Sequence, residues 1–347
     1  MNIALVCASI YPVPPPTTGG TERVVSTLAR RLRARGHRVS LFAPRDSTLE
    51  SDTHIAAGPS LYQLSQKRAA VPPGVPNALE AIMLDQVAER ADEFDIIHAH
   101  IDFAHAPALR AYRHKLLTTL HWRVDELDRQ LFWQYFTNLS CNAISHDQYR
   151  RFPGTSCLGV VHHGIDADEL TPTTDERRGV AFLGRMTDQK GPDRAIDIAR
   201  RAGLSIRLAG DIDVGNPDYF DDHVRPRLAD DAIYIGPVDT PGKQQLLSTS
   251  RVFLMPIDWP EPFGLVMIEA LACGTPILAA RHGAAAEIVI DGVNGYLYDD
   301  PNDAPALLER CLELDPECVR ATFDERFTSE HMAAGYEALY ARVLATA

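Results

Sequence analysis

The sequence has 347 residues, of which 45% are apolar and 23% are charged, and its formal net charge is −13 with an isoelectric point near 5.4. This balance is typical of a soluble globular protein, and the length suits two domains better than one core. The acidic charge argues against a protein that coats nucleic acid, because the phosphates would repel the chain as a whole.

Short apolar runs alternate with amphipathic helical patterns along nearly the whole chain, which predicts an α/β fold with parallel sheets covered by helices. In the first half, strands are predicted at 3–9, 39–43, 95–100, 116–121, 142–145 and 159–163, and helices at 23–36, 78–92 and 103–113. In the second half, strands are predicted at 180–184, 206–209, 233–235, 252–256, 276–279 and 295–298, and helices at 192–202, 219–229, 242–249, 264–273 and 303–314.

The polar segment 166–178 contains Thr171-Pro172-Thr173-Thr174, which favours neither a strand nor a helix. We therefore predict one domain at 1–165, a hinge linker at 166–178 and a second domain at 179–326. The remaining residues, 327–347, include an amphipathic helix at 329–345 that must dock on an existing core, and we expect it to pack back toward the N-terminal domain.

Several patterns bear on location. The six cysteines are scattered through strand and helix patterns, which indicates reduced, buried thiols. The apolar segment 3–8 lacks a basic flank and a cleavage site, and no segment reaches membrane-spanning length, so we expect a cytoplasmic protein. Six arginines between 23 and 38 lie on one predicted helix; a solvated outer face is favoured there over contact with an anionic membrane.

Two loops carry glycines or cations at the ends of predicted strands. Gly19 and Gly20 precede the first helix, where a backbone can approach a ligand and free amides can meet an anion, although a plain turn is as common. Arg185 and Lys190 follow the first strand of the second half. Ligands of open parallel sheets bind beyond the carboxyl ends of strands, so these two cations suit a diphosphate there.

The segment 260–270 reads Pro-Glu-Pro-Phe-Gly-Leu-Val-Met-Ile-Glu-Ala, with Glu261 in a loop and Glu269 inside an apolar helix. Carboxylates accept hydrogen bonds from sugar hydroxyls, and the amides of Phe263, Gly264 and Leu265 at the helix start can meet sugar or phosphate oxygens. An unpaired carboxylate is costly among apolar neighbours, so we favour a functional role for Glu269 over pairing with a surface cation.

Histidines raise the question of a metal. His98 and His100 point the same way from a strand end and His105 follows, but no carboxylate or cysteine completes a ligand motif. We favour a polar strand end facing a cleft, and we predict no metal site.

These motifs, in this order, resemble glycosyltransferase family 4 (group 1), retaining enzymes of GT-B fold, over essentially the full length. Further matching motifs are Thr119-Leu120-His121, His163-Gly164-Ile165-Asp166, Gly210-Asp211 and Gly274-Thr275-Pro276. The resemblance implies two Rossmann-like domains facing each other across a cleft, the first on the acceptor side and the second binding a nucleotide sugar.

The resemblance also implies roles for individual residues. The implied catalytic residues are Glu261, His121, Arg185 and Lys190. The implied donor-binding residues are Gly19, Gly20, Arg185, Lys190, Phe263, Gly264, Leu265, Glu269, Gly210 and Val238. Arg185 and Lys190 would hold the diphosphate, Glu269 the ribose and Glu261 the transferred sugar, while His121 would lie beside the reacting carbon.

The implied reaction transfers a hexose from a UDP- or GDP-sugar to a glycan, lipid-linked or small-molecule acceptor, with retention and without a cofactor or metal, since fixed cations stabilise the leaving diphosphate. We expect no nucleic-acid partner and at most weak peripheral membrane contact. Three alternatives remain open: a GT-B nucleotide-sugar epimerase or hydrolase, a nicotinamide-dependent oxidoreductase, and a non-catalytic nucleotide-sugar-binding protein. The missing Gly-x-Gly-x-x-Gly after the first strand argues against the oxidoreductase.

Overall fold

A computed structural model describes residues 1–16, 19–68 and 70–345. The chain forms two compact units, Met1–Gly164 with Ser329–Ala347, and Ile165–Thr328. The chain passes from the first unit to the second after Gly164, one residue before the predicted end of the first domain at 165. Residues 165–178, which include the predicted linker, belong to the second unit. Residues 346 and 347 of the predicted C-terminal segment lie outside the described residues.

The first unit is a seven-stranded parallel sheet in the order β3-β2-β1-β4-β5-β6-β7. Its strands are β1 (Asn2–Cys7), β2 (Arg38–Phe42), β3 (Thr53–Ile55), β4 (Ile96–His100), β5 (Leu116–Thr119), β6 (Cys141–Ala143) and β7 (Cys157–Val160). Its helices are α1 (Gly20–Ala34), α2 (Leu61–Lys67), α3 (Val75–Glu89), α4 (His105–Ala108), α5 (Leu127–Tyr135), α6 (His146–Arg151) and α13 (Ser329–Ala345), with 3₁₀ turns at Ala91–Glu93 and Arg110–Lys115.

The second unit is a six-stranded parallel sheet in the order β10-β9-β8-β11-β12-β13. Its strands are β8 (Val180–Leu183), β9 (Ile206–Ala209), β10 (Ala232–Tyr234), β11 (Val252–Met255), β12 (Ile277–Ala280) and β13 (Gly295–Tyr298). Its helices are α7 (Pro192–Arg201), α8 (Thr240–Ser248), α9 (Leu265–Ala272), α10 (Ala285–Ile288), α11 (Ala304–Cys311) and α12 (Pro316–Arg326).

The predicted α/β class is confirmed, and the twelve predicted strands lie at observed strands with small shifts of their ends. The central strands are buried throughout: β11 and β12 expose no residue, and in β1 only Asn2 is partly exposed. Parallel strands covered on both faces are continuous apolar runs, which is why the sequence located them.

Two predicted helices are wrong in kind. Residues 103–113 form the short helix α4 followed by the 3₁₀ turn Arg110–Lys115 instead of one helix. Residues 219–229 form a π-turn at Phe220–Val224 and a 3₁₀ turn at Arg225–Arg227. Pro226 lacks an amide hydrogen and its ring obstructs the preceding turn, so a regular α-helix does not continue there.

The basic helix α1 is covered on its arginine side by α13. Arg31 Nη1 lies 3.0 Å from a carboxylate oxygen of Glu330, and Arg35 Nη2 lies 2.6 Å from one of Glu337. Glu337 also accepts a hydrogen bond from Arg35 and contacts His37, and the Arg35 guanidinium lowers the pKa of Glu337 to about 2. Part of the predicted solvated face is therefore an interface within the first unit.

The cysteines are all free thiols, but two are closer than their sequence separation indicated. Cys141 and Cys157 are register partners on β6 and β7, and the Cys141 thiol donates a hydrogen bond that lowers the pKa of Cys157. Cys157 is partly exposed and Cys318 is exposed, so the prediction of burial fails for these two. Within the described residues, no helix is long and apolar enough to cross a membrane.

Candidate active site

The strand order of the second unit reverses between β8 and β11, which are neighbours in the sheet but separated in sequence by two other strands. The loops that leave the carboxyl ends of such a pair run to opposite sides, and the crevice between them is where open α/β sheets bind ligands. Lys190 lies in the loop after β8 and Glu261 in the loop after β11. Both predicted residues are therefore placed at this crevice.

Lys190 and Glu261 form an ion pair in which the lysine Nζ donates a hydrogen bond to a carboxylate oxygen of Glu261. The two side chains are only 16% and 10% exposed. The lysine nitrogen also lies 4.9 Å from the centre of the Trp259 ring. The amide of Ala284 donates to the Glu261 carbonyl at 2.9 Å, which fixes the backbone that carries the carboxylate.

Glu269 is buried in α9 and paired with a second lysine. Lys243 Nζ, from α8, lies 2.7 Å from Glu269 Oε1, and the side-chain exposures are 13% and 2%. Helix α8 begins at the N-cap Asp239, whose side chain accepts a hydrogen bond from the Gly242 amide. Glu269 is therefore paired with a cation, as in the alternative that the sequence left open. That cation, Lys243, is largely buried and does not lie on the surface.

The start of α9 carries three of the predicted donor-binding residues. Gly264 is the N-cap with φ 80°, and a Cβ there would lie 2.8 Å from Met267 Cε, so glycine is required. The Phe263 side chain is buried, with its ring 6.2 Å from that of Phe327 in an edge-on arrangement. With its side chain buried, Phe263 has its backbone to offer a ligand, and Leu265 is half-buried beside it.

Gly210 lies in close contact with the loop that contains Arg185. Its φ is 136°, and a Cβ would lie 1.9 Å from the carbonyl oxygen of Gly184, so only glycine allows the two loops to touch. The amide of Met186 donates to the Asp211 carbonyl at 2.9 Å just beyond this contact.

Arg185 lies in the loop after β8, and Val238 lies in the loop between β10 and α8. Arg185 is exposed, and within residues 1–16, 19–68 and 70–345 its guanidinium forms no ion pair. Val238 is half-buried and directly precedes the N-cap of α8. In the loop after β8, Lys190 is paired with Glu261, whereas the Arg185 guanidinium is available to bind an anion.

The other three predicted residues, Gly19, Gly20 and His121, belong to the first unit. The order of that sheet reverses between β1 and β4, and the glycine loop follows β1 while His121 follows β5. In the first turn of α1, Glu22 is buried, and this burial raises its pKa to about 7. Sequence analysis did not single out Glu22.

His121 belongs to a group of four packed histidines. Its Nε2 lies 2.9 Å from Nδ1 of His100, and its ring stacks on that of His163 at 5.2 Å. The rings of His98 and His100 are 4.0 Å apart, which confirms that they point the same way. Burial lowers the pKa of each, to about 3 for His121, so the imidazoles are neutral near neutral pH.

The expectation of a polar strand end facing a cleft is wrong for His98, which is fully buried. Its Nδ1 lies 2.8 Å from the hydroxyl of Tyr340 on α13, and its Nε2 lies 2.6 Å from Thr119 Oγ1. Both ring nitrogens are used in these contacts, so His98 has no lone pair directed at an ion.

Two family models match the chain in succession. Glycosyltransferase Family 4 matches residues 18–169 and glycosyl transferases group 1 matches residues 168–320. The chain is a family 4, group 1 glycosyltransferase. It is 28% identical to a phosphatidyl-myo-inositol mannosyltransferase of Mycolicibacterium smegmatis, with 91% of this chain and 86% of that protein covered. It is 31% identical to a D-inositol 3-phosphate glycosyltransferase of the same organism over 51% of this chain and 44% of that protein.

Solved structures share the fold of this glycosyltransferase along the whole chain. A glycosyltransferase of avilamycin A biosynthesis has a TM-score of 0.74 at 24% identity, covering 100% of this chain and 99% of its own. Sucrose-phosphate synthase of Thermosynechococcus elongatus has a TM-score of 0.78 at 20% identity, covering 100% of both chains. Anabaena HepE, solved with UDP and glucose, has a TM-score of 0.74 at 22% identity, covering 98% and 99%. The predicted GT-B fold is confirmed.

Lys243 and Trp259 are the residues of this glycosyltransferase site that sequence analysis missed. Lys243 lies on α8, eighteen residues before Glu261, and nothing in its local pattern distinguishes it from a surface lysine. Trp259 lies only two residues before Glu261, and this position could have indicated a contact with a cation of the site, because aromatic rings often stack against cations. The buried Trp259 Nε1 has no hydrogen-bond partner among the described residues.

Proposed function

We propose that this glycosyltransferase moves a hexose, with retention, from a UDP- or GDP-sugar to a glycan, lipid-linked or small-molecule acceptor, and that it needs no metal ion. The observation that carries the proposal is the pairing of Lys190 with Glu261 at the strand-order reversal of the second unit. One partner can meet a diphosphate and the other can meet sugar hydroxyls, so the pair suits a ligand with both groups.

Each charge of this pair neutralises the other. A donor diphosphate would compete with the Glu261 carboxylate for Lys190 and would also meet the exposed guanidinium of Arg185. The released carboxylate would then accept hydrogen bonds from the transferred sugar. Glu269, held against Lys243 and buried in α9, would receive the ribose hydroxyls.

During transfer, the bond from the anomeric carbon to the diphosphate oxygen breaks while a bond from that carbon to an acceptor hydroxyl oxygen forms on the same face. Negative charge develops on the leaving diphosphate, where Lys190, Arg185 and the amides at the start of α9 would stabilise it. The acceptor proton passes to a leaving phosphate oxygen. These fixed donors supply the stabilisation that a divalent cation gives elsewhere, which supports metal-independent turnover.

The relatives support a nucleotide-sugar donor. HepE was solved with UDP and with UDP-glucose, and a starch synthase of Arabidopsis thaliana with a TM-score of 0.71 was solved with ADP and acarbose. The neutral imidazole of His121 would act as a hydrogen-bonding group beside the sugar, because a pKa of about 3 leaves it uncharged at working pH.

The test is calorimetric titration of the purified protein with UDP, GDP and ADP, each with and without magnesium, followed by a transfer assay with the matching sugar nucleotides. Tight binding of one nucleotide regardless of magnesium supports the proposal and names the donor series. Binding that requires magnesium would contradict the metal-free site. Release of free sugar at full rate without an acceptor would contradict transfer as the main reaction.

A further inference from the structure

Helix α5 carries a row of large apolar side chains on its outer face. Leu127, Leu131 and Tyr135 are four residues apart and are 71%, 60% and 73% exposed, while Trp133 on the opposite face is buried. Residues four apart share one stripe of a helix, and the solvent-facing stripe of a soluble protein is normally polar. Single exposed leucines need no explanation, but a contiguous row does. We call these three residues the α5 ridge.

The α5 ridge ends beside a basic pocket of about 200 Å³. Arg110 and Arg113, from the 3₁₀ turn after α4, line this pocket together with Tyr135 of the ridge. The other lining residues are Ala106, Phe136, Thr137, Asn138 and Leu139. Both arginines are exposed, and neither forms an ion pair with any carboxylate in the described part of the chain. An apolar row and two uncompensated cations therefore adjoin each other.

The carboxylates near the other end of the ridge share arginine partners. Asp128 and Asp102 both pair with Arg129, and Glu126 lies 3.1 Å from Nη1 of Arg123, which also pairs with Asp125. The positive charge beside the α5 ridge therefore lies at its Tyr135 end, where the basic pocket is, on a chain whose net charge is −13.

We propose that the α5 ridge and the Arg110–Arg113 pocket form a docking surface for an anionic lipid bilayer. Lipid phosphates match the unpaired guanidinium groups, and the interface between headgroups and acyl chains accepts leucine and tyrosine side chains. The ridge side chains project from a helix rather than line a groove, which suits insertion into lipid better than capture of a peptide. The inference rests on these residues alone and does not depend on the donor or the reaction.

The experiment is sedimentation of the full-length protein with two kinds of vesicle, one of phosphatidylcholine alone and one of equimolar phosphatidylcholine and phosphatidylglycerol, at low and high salt. We expect binding to the anionic vesicles only, weakened by salt. The double variant Arg110→Glu/Arg113→Glu should bind at least about 30-fold more weakly, from the attraction that each basic residue contributes at an anionic surface. The double variant Leu131→Gln/Tyr135→Ser should lose about tenfold through the lost apolar insertion.

Matched control variants lie in the second unit. Arg201→Glu/Arg251→Glu makes the same charge change at two exposed arginines, and Val214→Gln removes an apolar side chain that is 97% exposed. Both controls should bind like wild type. If wild type ignores the anionic vesicles, or if the controls weaken binding as much as the ridge and pocket variants, the proposal is wrong.

Oligomeric state and nucleotide binding separate the remaining possibilities. A wild-type dimer that becomes a monomer in Leu131→Gln/Tyr135→Ser would show that the ridge binds a second copy, and this result would overturn the lipid proposal. An unchanged near-ultraviolet circular dichroism spectrum and an unchanged unfolding midpoint of each variant would show that the fold of the first unit is intact. A chain that binds vesicles but no nucleotide would leave this inference standing while contradicting the proposed function.

Discussion

Glu22 gives the sharpest test of the electrostatics of the first unit. It lies in the first turn of α1 and is 4% exposed, and burial raises its pKa from 4.5 to about 7. Above pH 4.5 the unfolded chain loses this proton while the folded chain keeps it until about pH 7. The folded state binds more protons in that window, so the free energy of unfolding falls as pH rises.

The separation of these two pKa values corresponds to roughly 3 kcal/mol, at about 1.4 kcal/mol per pH unit. Glu22→Gln cannot ionise and should avoid this loss. We expect the variant to gain stability relative to wild type between pH 5 and pH 8, by an amount that levels off above pH 7. For a unit of this size, about 3 kcal/mol corresponds to a gain of about 6–12 °C in midpoint temperature.

The measurement is urea unfolding of both proteins across this range, followed by a signal of the first unit. Wild type alone is a poor readout, because the buried neutral histidines His98, His100, His121 and His163 lower stability as pH falls below 6.5. The difference between variant and wild type cancels them. A difference that stays constant with pH, or grows toward acid, would refute the assignment of a raised pKa to Glu22.

Further predictions concern the two carboxylates and the histidine contact. Lys243→Met should lower the unfolding free energy of the second unit by about 3 kcal/mol, because it removes the cation that faces buried Glu269. The double variant Lys243→Met/Glu269→Gln should lower it by less, because no buried charge is left unpaired. Equal losses for the two variants in urea unfolding would contradict the pairing. Glu261→Ala should reduce transfer at least about 100-fold, while nucleotide affinity stays equal or becomes tighter because Lys190 loses its competing carboxylate; calorimetry and product formation measure the two effects. His100→Gln should lower kcat roughly 10–100-fold through misplacement of His121 and leave KM nearly unchanged; an altered KM alone would argue against a positioning role. Turnover in excess chelator should equal turnover with added magnesium, and a rate restored only by the metal would contradict metal independence.

The sequence predicted the strands of both sheets well, because a parallel strand covered on both faces is an uninterrupted apolar run. It failed at α5, where Leu127 and Leu131 lie on the outer face and Trp133 on the inner face, so no helical period stands out. It also missed α12, although Asp315 and Pro316 form a readable N-cap and first-turn signal.

For the candidate site, the sequence indicates which residue types lie in which loops, but it does not indicate which side chains form ion pairs with one another. Lys190 and Glu261 were assigned to different parts of a ligand, and the structure pairs them with each other. The cation that compensates Glu269 comes from α8, and which lysine reaches a buried carboxylate depends on how two helices pack. No pattern along the chain records such a contact, because local sequence sets helical periodicity but not which helix lies opposite.

The division of the chain into units has a consequence for biosynthesis. The second unit, Ile165–Thr328, is an insertion within the first, whose last element is α13. The hydroxyls of Tyr336 and Tyr340 on that helix contact Thr119 and His98, beneath the residues that precede His121. During synthesis the second unit can fold completely while the first still lacks part of its core. A ribosome that stops before Ser329, the first residue of α13, would thus release an intact second unit and an unfinished histidine cluster.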